Sequence, residues 1–286
     1  MIYCDMHIGI EMLIEESAKN KSFAVNSRMD ESKTCGFVYI VQRGYGILIT
    51  SAIQLYHVGL AHVLSSNLRT GDHIEVTVAD KNVTAILSVS HCTINDAPAL
   101  RPAVPATFAK VNFKFGGRVL IETRHHNDFT ETIATQNFTN THNIAILIDQ
   151  GDDCTKFLTS HGIHEVYIAS IDMDMQKKVF FVLNAMLCAK HAASKGENVV
   201  VFVDNLNKLF RLYNCTTLET DELSMNKIAI GPFIDLKNFI MSARATTAGS
   251  ITFITTMHEP KTEMENYALD ELSELFNTHS TSQSHE

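Results

Sequence analysis

The chain is poor in the residues that build linkers. Five prolines and thirteen glycines among 286 residues leave little room for long flexible connectors. No apolar run reaches the length needed to span a bilayer. The first residues, Met1-Ile2-Tyr3-Cys4-Asp5, lack the basic start and apolar stretch of a signal peptide. The six cysteines are widely scattered. Cys35, Cys92, Cys188 and Cys215 lie in or beside apolar segments, which fits reduced thiols better than a disulfide framework. These absences predict a cytoplasmic protein with no membrane partner. Cations are scarce as well: 23 Lys and Arg stand against 32 Asp and Glu, a formal net charge of −9. Phosphate contacts need clustered cations, so a continuous track for strong nucleic-acid binding is not expected. A small local basic patch is compatible with this balance.

What remains is globular, with 45% hydrophobic and 19% charged residues. Ile8 to Lys19 predicts a helix, with apolar Ile8, Ile10, Met12, Leu13 and Ile14, followed by a polar loop to residue 34. Residues 35–90 alternate in short strands with Gly-containing turns, the pattern of a small barrel. Residues 91–115, with Pro102 and Pro105, predict a connector. Residues 116–278 alternate strands and helices, which argues for a mostly parallel sheet with helices on both faces. Gln176 to Lys195 is the clearest helix, with Gly196 as its C-cap. Residues 279–286 predict a disordered tail.

One stretch has the layout of a phosphate-binding loop without its chemistry. The strand core Val119-Leu120-Ile121 runs into a polar loop, and Thr130 opens a helical segment to Gln136. A working loop reads G-x-x-x-x-G-K-[ST], with glycines that let backbone N–H groups cradle phosphate and a lysine that reaches it. Thr123 and Asp128 occupy the two glycine positions, Phe129 the lysine, and only Thr130 fits. Downstream, Val199 to Val203 is a β-branched run ending in Asp204, the way a Walker-B carboxylate is placed to hold Mg²⁺. A strand-end Asp serves equally well as a cap for the next helix. His125-His126 and the pair His161 and His164 have no Cys or carboxylate at zinc spacing, so no structural metal is expected.

Taken in order, these segments resemble the transcription termination factor Rho family, hexameric RNA translocases of the RecA-like ATPase class. Gly117-Arg118-Val119-Leu120-Ile121 is similar to the family's Q-R-G-L-I, and Ile146-Leu147-Ile148-Asp149-Gln150 to its L-L-I-D-E. Glu165 to Ser170 resembles its E-V-V-A-S-T, Val203 to Asn214 its L-D-S-I-T-R-L-A-R-A-Y-N, and Ser250 to Thr256 its S-L-T-I-I-A-T. In the first half, Gly44-Tyr45-Gly46-Ile47-Leu48-Ile49 resembles its base-stacking G-F-G-F-L-R. Asn67-Leu68-Arg69-Thr70-Gly71-Asp72 matches its N-L-R-T-G-D letter for letter.

The resemblance implies an α/β fold: a RecA-like parallel sheet with helices on both faces, preceded by a small oligonucleotide-binding, cold-shock-like β-barrel. It implies ATP with Mg²⁺ as the family's cofactors, with Asp204 holding the metal. It assigns a nucleotide-binding remnant to Thr123, Asp128, Phe129, Thr130, Asp204 and Phe276, the last matching an adenine-stacking phenylalanine or a core residue. Gln150 stands where the family has its water-activating glutamate, and Gly151 where it has an arginine. The family's arginine-finger segment would fall beyond residue 286, and no arginine follows Arg244. For RNA, the resemblance points to Arg43, Tyr45, Ile47, Tyr56 and Arg69 on the barrel. Lys227 to Phe233 reads as a shortened pore loop, with Lys237 a basic position after it. Ile47 and Ile49 replace an aromatic and an arginine. The expectation is a Rho-like RNA-binding protein with a decayed ATPase site, a non-catalytic or regulatory module of transcription termination. Its expected partners are single-stranded RNA, bound weakly, and a genuine Rho protomer or transcription complex. In isolation it is expected as a monomer or small oligomer. The alternative is an active RNA-dependent ATPase and translocase.

Overall fold

The computed structural model describes residues 32–40, 44–94, 96–100, 105–108, 111–123, 133, 140–150, 158–215, 228 and 230–281. The expected helix from Ile8 to Lys19, Arg43, Asp128, Phe129 and Thr130 lie outside the described residues, as does the segment Thr130–Gln136 apart from Ile133. The chain divides into two compact units, Met1–Thr93 and Ile94–Glu286.

In the first unit, β1 (Ser32–Ile40), β2 (Gly46–Thr50), β3 (Leu55–Val58), β4 (His73–Ala79) and β5 (Asn82–Ser90) close into a barrel in the order β1-β2-β3-β5-β4. A short helix, α1 (Leu60–Ser65), lies between β3 and β4. Period-2 alternation sends Val38, Leu48, Val58 and Ile74 into one apolar core. Close approach of β1 to β2 depends on Gly36, where a Cβ would stand 2.2 Å from the carbonyl oxygen of Ile49.

The turn from Asn67 to Asp72 locks the barrel. Leu68 is in the core, and the Thr70 hydroxyl accepts from Ile40 N at 3.0 Å. Gly71 takes a left-handed φ of +99°. The fully buried Asp72 carboxylate accepts from Arg69 N at 2.8 Å and Cys92 N at 2.7 Å, and meets His91 Nδ1 at 2.9 Å. Asn67 is left-handed as well, at φ +47°, so bonding, packing or backbone conformation engages every residue of the turn.

The second unit holds a parallel run of strands in the spatial order β11-β10-β12-β14-β9-β15. These are β9 (Arg118–Glu122), β10 (His142–Ile148), β11 (Glu165–Ala169), β12 (Asn198–Val203), β14 (Ser250–Met257) and β15 (Thr278–Thr281). Antiparallel β13 (Arg244–Thr246) and β6 (Ala99–Leu100) extend the sheet beside the start of β14. A separate hairpin joins β7 (Pro105–Phe108) to β8 (Val111–Lys114). The helices are α2 (Met175–Ser194), α3 (Leu206–Asn214), α4 (Ile230–Met241) and α5 (Glu263–Ser273). β10, β12 and β14 are buried along nearly their whole length, which is why they read as unbroken apolar runs rather than alternating ones. α2 ends where predicted: Gly196 is left-handed at φ +102°, and Glu197 N reaches back to Ala192 O.

Two expectations are corrected. Residues 279–281 are not a disordered tail. β15 pairs in parallel with β9, which satisfies the backbone groups that face that strand; residues 282–286 lie outside the described set. Ile230 to Phe233 is not pore loop but the first turn of α4, with Pro232 inside the first turn, where its missing N–H is tolerated. Among the described residues, no helix is long and apolar enough to cross a membrane.

Candidate nucleotide-type site at the carboxyl edge of the sheet

Neighbouring strands β10, β12, β14 and β9 end side by side, about 4.8 Å apart. Open α/β sheets bind ligands outside the carboxyl ends of their strands. Here those ends carry Asp149 and Gln150, Asp204, His258 and Thr123.

Asp204 is the centre of the edge and is 6% exposed. Its Oδ2 accepts from Lys208 Nζ at 2.9 Å and from Gln150 Nε2 at 3.4 Å, and its Oδ1 accepts from Ile148 N at 3.3 Å. Its carbonyl accepts from the Thr256 hydroxyl. Burial pushes the Asp204 carboxyl above its usual range, while Lys208, Gln150 and the Ile148 N–H pull the other way. Lys208 is placed by helix geometry. Asn205 caps α3 by accepting from Lys208 N at 2.9 Å, so the side chain four residues beyond Asp204 returns over it. Lys208 Nζ also donates to Ile148 O at 2.7 Å. The Asn205 side-chain amide nitrogen is buried without a partner.

A second pair lies next along the edge. Lys178 of α2 is buried, and its Nζ sits 2.5 Å from Asp149 Oδ1. Asp149 adopts a left-handed φ of +54°, a conformation that Asp tolerates better than most residues. On the other side, His258 Nδ1 lies 3.1 Å from Thr123 O and 2.9 Å from Thr123 Oγ1. A carbonyl only accepts, so Nδ1 is the donor in that contact. Asn207 holds the His258 backbone at both ends, accepting from its N at 3.0 Å and donating to its O at 3.1 Å.

The residues present do not fit a bound Mg²⁺. The metal and the Lys208 ammonium would compete for the same carboxylate, and the ammonium is already bonded to two acceptors. The edge is therefore two closed ion pairs and a hydrogen-bonded histidine rather than an open cation site. Among the described residues, no group of three or more His, Cys, Asp or Glu could hold a metal ion.

The structure thus brings Thr123, Gln150 and Asp204 onto one edge. Phe276 does not join them. It is 6% exposed and packs its ring 6.1 Å from Phe253 and 6.4 Å from His279, so it is a core residue rather than an adenine platform. Lys237 is not a free RNA-facing cation: it pairs with Glu271 at 2.6 Å and lies 4.7 Å over the Phe233 ring.

On the barrel, Tyr45 is half-buried with its ring 5.2 Å from His57. Burial lowers the pKa of His57. Tyr56 packs against the barrel core and donates its hydroxyl to Gln54 Oε1 at 3.0 Å, so it does not share a face with Tyr45's neighbour His57. Ile47 is fully buried and offers no surface to a base. Arg69 is exposed on the Asn67–Asp72 turn. Lys208 was missed although its place four residues after Asp204 is a readable i,i+4 signal. Asn207, in the first turn of α3, was missed as well, while Lys178 and His258 reach the site from distant positions and carry no local sequence signal.

The architecture is a RecA-like parallel-sheet core preceded by an oligonucleotide-binding-type barrel. Among solved structures, the chain is similar to a prototypical ATPase from the type III secretion system of pathogenic bacteria, with a TM-score of 0.55 at 14% identity. The match covers 70% of this chain and 63% of that one, so this chain corresponds to less than two thirds of that ATPase's length. At this identity the likeness establishes the fold alone. No protein-family profile and no curated protein matches the sequence.

Proposed function

We propose that this chain is a Rho-like, RNA-binding module with a RecA-like core that does not turn over ATP. It acts in or on transcription termination in the cytoplasm, beside a catalytic Rho protomer or transcription complex. The observation that carries the non-catalytic part is the closed Asp204–Lys208 pair, at 2.9 Å, where a metal-holding carboxylate would have to be open. Gln150 bonded to the same carboxylate supports it, because an amide orients water but is a poor base. Weak RNA binding rests on the Tyr45 ring and exposed Arg69, and the net charge of −9 makes it strongly salt-sensitive. The rival reading, an active RNA-dependent ATPase, draws on the unpartnered Asn205 amide beside Asp204, a donor available to an acceptor ligand. Phosphate release with pyrimidine-rich RNA separates the two. The expected outcome is no hydrolysis above background. Steady release that vanishes in Asp204→Ala would establish the enzyme instead.

A further inference from the structure

Helix α4 is apolar on two sides, and the fold uses one of them. Pro232, Leu236, Phe239 and Ile240 are buried. At about 100° per residue, Ile230, Ile234, Asn238 and Met241 fall on the opposite side, in a stripe about 16 Å long. Its three apolar members are 41%, 38% and 46% exposed, and Asn238 is exposed as well. A helix that is apolar all round belongs inside a larger core, so an exposed second stripe marks a contact face. That stripe leads into a cavity. About 210 Å³ in volume, it is lined by Ile94, Lys190 of α2, Asn238, Met241, Ser242 and Arg244. Arg244 opens β13 opposite Ile251 of β14, so the cavity lies at the amino ends of the parallel strands, away from Asp204. Lys190 and Arg244 are half-buried, and Arg244 Nη2 donates to Ile94 O at 2.7 Å, which fixes the guanidinium at the wall. The carbonyls ending α4 favour cations here, but they carry only about half a negative charge. Two full charges make the lining net positive, and no carboxylate stands among the described lining residues, in a chain whose net charge is −9.

We propose that this face docks an amphipathic, acidic helix of a partner protein, with one carboxylate side chain seated in the cavity against Lys190 and Arg244. The cavity is smaller than the roughly 300 Å³ at which sites for drug-sized ligands begin, so it suits a side chain rather than a nucleotide. The stripe runs for three turns, with apolar side chains spaced to meet the ridge of a second helix. Charge and shape select the occupant together. A nucleic-acid backbone offers nothing to the isoleucines. A membrane presents a plane of headgroups, whereas these cations line a concave site that an inserted side chain reaches. An acidic helix meets both halves of the surface at once. The inference stands whether or not the carboxyl edge turns over ATP or the barrel binds RNA.

The test uses the full chain and a fluorescent helical peptide of about four turns, with leucines along one face and glutamates flanking them at both ends. A control peptide carries glutamine for every glutamate. Anisotropy should show saturable binding of the acidic peptide, at least about tenfold tighter than that of the control. Lys190→Glu should erase this preference, while Ile234→Asp should weaken both peptides alike. Neither side chain is fully buried, and a cooperative melt shows that each variant is folded. Absence of saturable binding to the parent, equal affinity for the two peptides, or a preference that survives Lys190→Glu overturns the proposal. Binding of the parent to phosphatidylserine vesicles that is lost in Ile234→Asp assigns the stripe to a membrane instead. Self-association of the peptide-free chain that is lost in the same variant assigns it to a second copy, and either result overturns the partner helix.

Discussion

The turn Asn67–Asp72 and the carboxyl edge around Asp204 carry the Rho resemblance in opposite ways. The turn matches the family letter for letter, yet its side chains are consumed by the barrel: a core leucine, a hydroxyl on β1, a left-handed glycine and a carboxylate with three partners. The edge matches poorly, yet it is where Thr123, Gln150 and Asp204 converge, with ammonium groups supplied by Lys178 and Lys208. Literal identity here follows backbone demand. Chemistry follows which charges the strand ends bring together, and here those charges form pairs that satisfy one another. If that contrast is right, both aspartates are structural, but for different reasons, and their variants should fail differently.

The largest effect is expected at the edge. Lys208→Met removes the cation from a carboxylate with almost no access to water, at a cost of about 3–5 kcal/mol in urea unfolding. Asp204→Asn in the same chain should restore most of this, because no unpaired charge is then buried. The loss should also shrink as pH falls. Burial already raises the Asp204 pKa, and protonation relieves the folded state more than the unfolded one. A single-variant cost below about 1 kcal/mol would mean that Asp204 has another counter-ion and that the edge is open, contrary to the closed-pair picture.

At the turn, Asp72→Ala should cost about 2–3 kcal/mol, because Cys92 N–H is buried and loses its acceptor. Asp72→Asn should retain about half of that, since one oxygen still accepts. Neither substitution should respond to the Lys208 variant, as the pairs share no partner. The measurement is a double-variant cycle by urea unfolding. Coupling above about 0.5 kcal/mol would show that turn and edge are not independent.

The fold was legible because its signals are local. Buried parallel strands read as the runs Asn198–Val203 and Ser250–Met257, and Gly196 marked the end of α2. The β15 strand was not legible: Thr278-His279-Ser280-Thr281 is polar throughout and earns its place only by pairing with β9. The site was half legible. Asp204 and Gln150 stand at strand ends that the sequence marks, but their occupancy by Lys208 and the role of His258 depend on contacts across the sheet. Aromatic residues misled for a physical reason as well. Phe276 and Tyr56 look like platforms, but a ring near a strand end packs inward as readily as outward, and burial decides. Ile47 misled because motif alignment locates a strand but not the burial of its side chains.

The smallest expected effect comes from the opposite end of the sheet, where the cation can be switched off. His142, at the start of β10, lies between Glu165 Oε1 of β11 at 2.8 Å and Glu197 Oε2 before β12 at 2.9 Å. Tyr167 donates to Glu165 at 2.7 Å, Cys188 approaches it at 3.4 Å, and the His164 ring lies 5.3 Å from that of His142. Hydrogen bonding to Glu165 raises the His142 pKa above its ordinary 6.5, and the same bond lowers Glu165 to about 2. Burial pushes the Cys188 thiol up to about 12, so it stays neutral throughout. The signs then define a window. The histidine's contribution is complete below 6.5 and is lost as pH rises through its raised folded value. The carboxylate's contribution is complete above 4.5 and is lost as pH falls toward about 2. The three groups are partly solvated, so the clamp is worth only about 0.5–1 kcal/mol after screening. Stability measured at pH 5.5 and 8.5 should fall by that amount in the parent, and the fall should disappear in His142→Gln. An equal fall in both chains would place the titration elsewhere. The contrast with the carboxyl edge, which is held by lysine–aspartate pairs rather than by a histidine, would then lose its point.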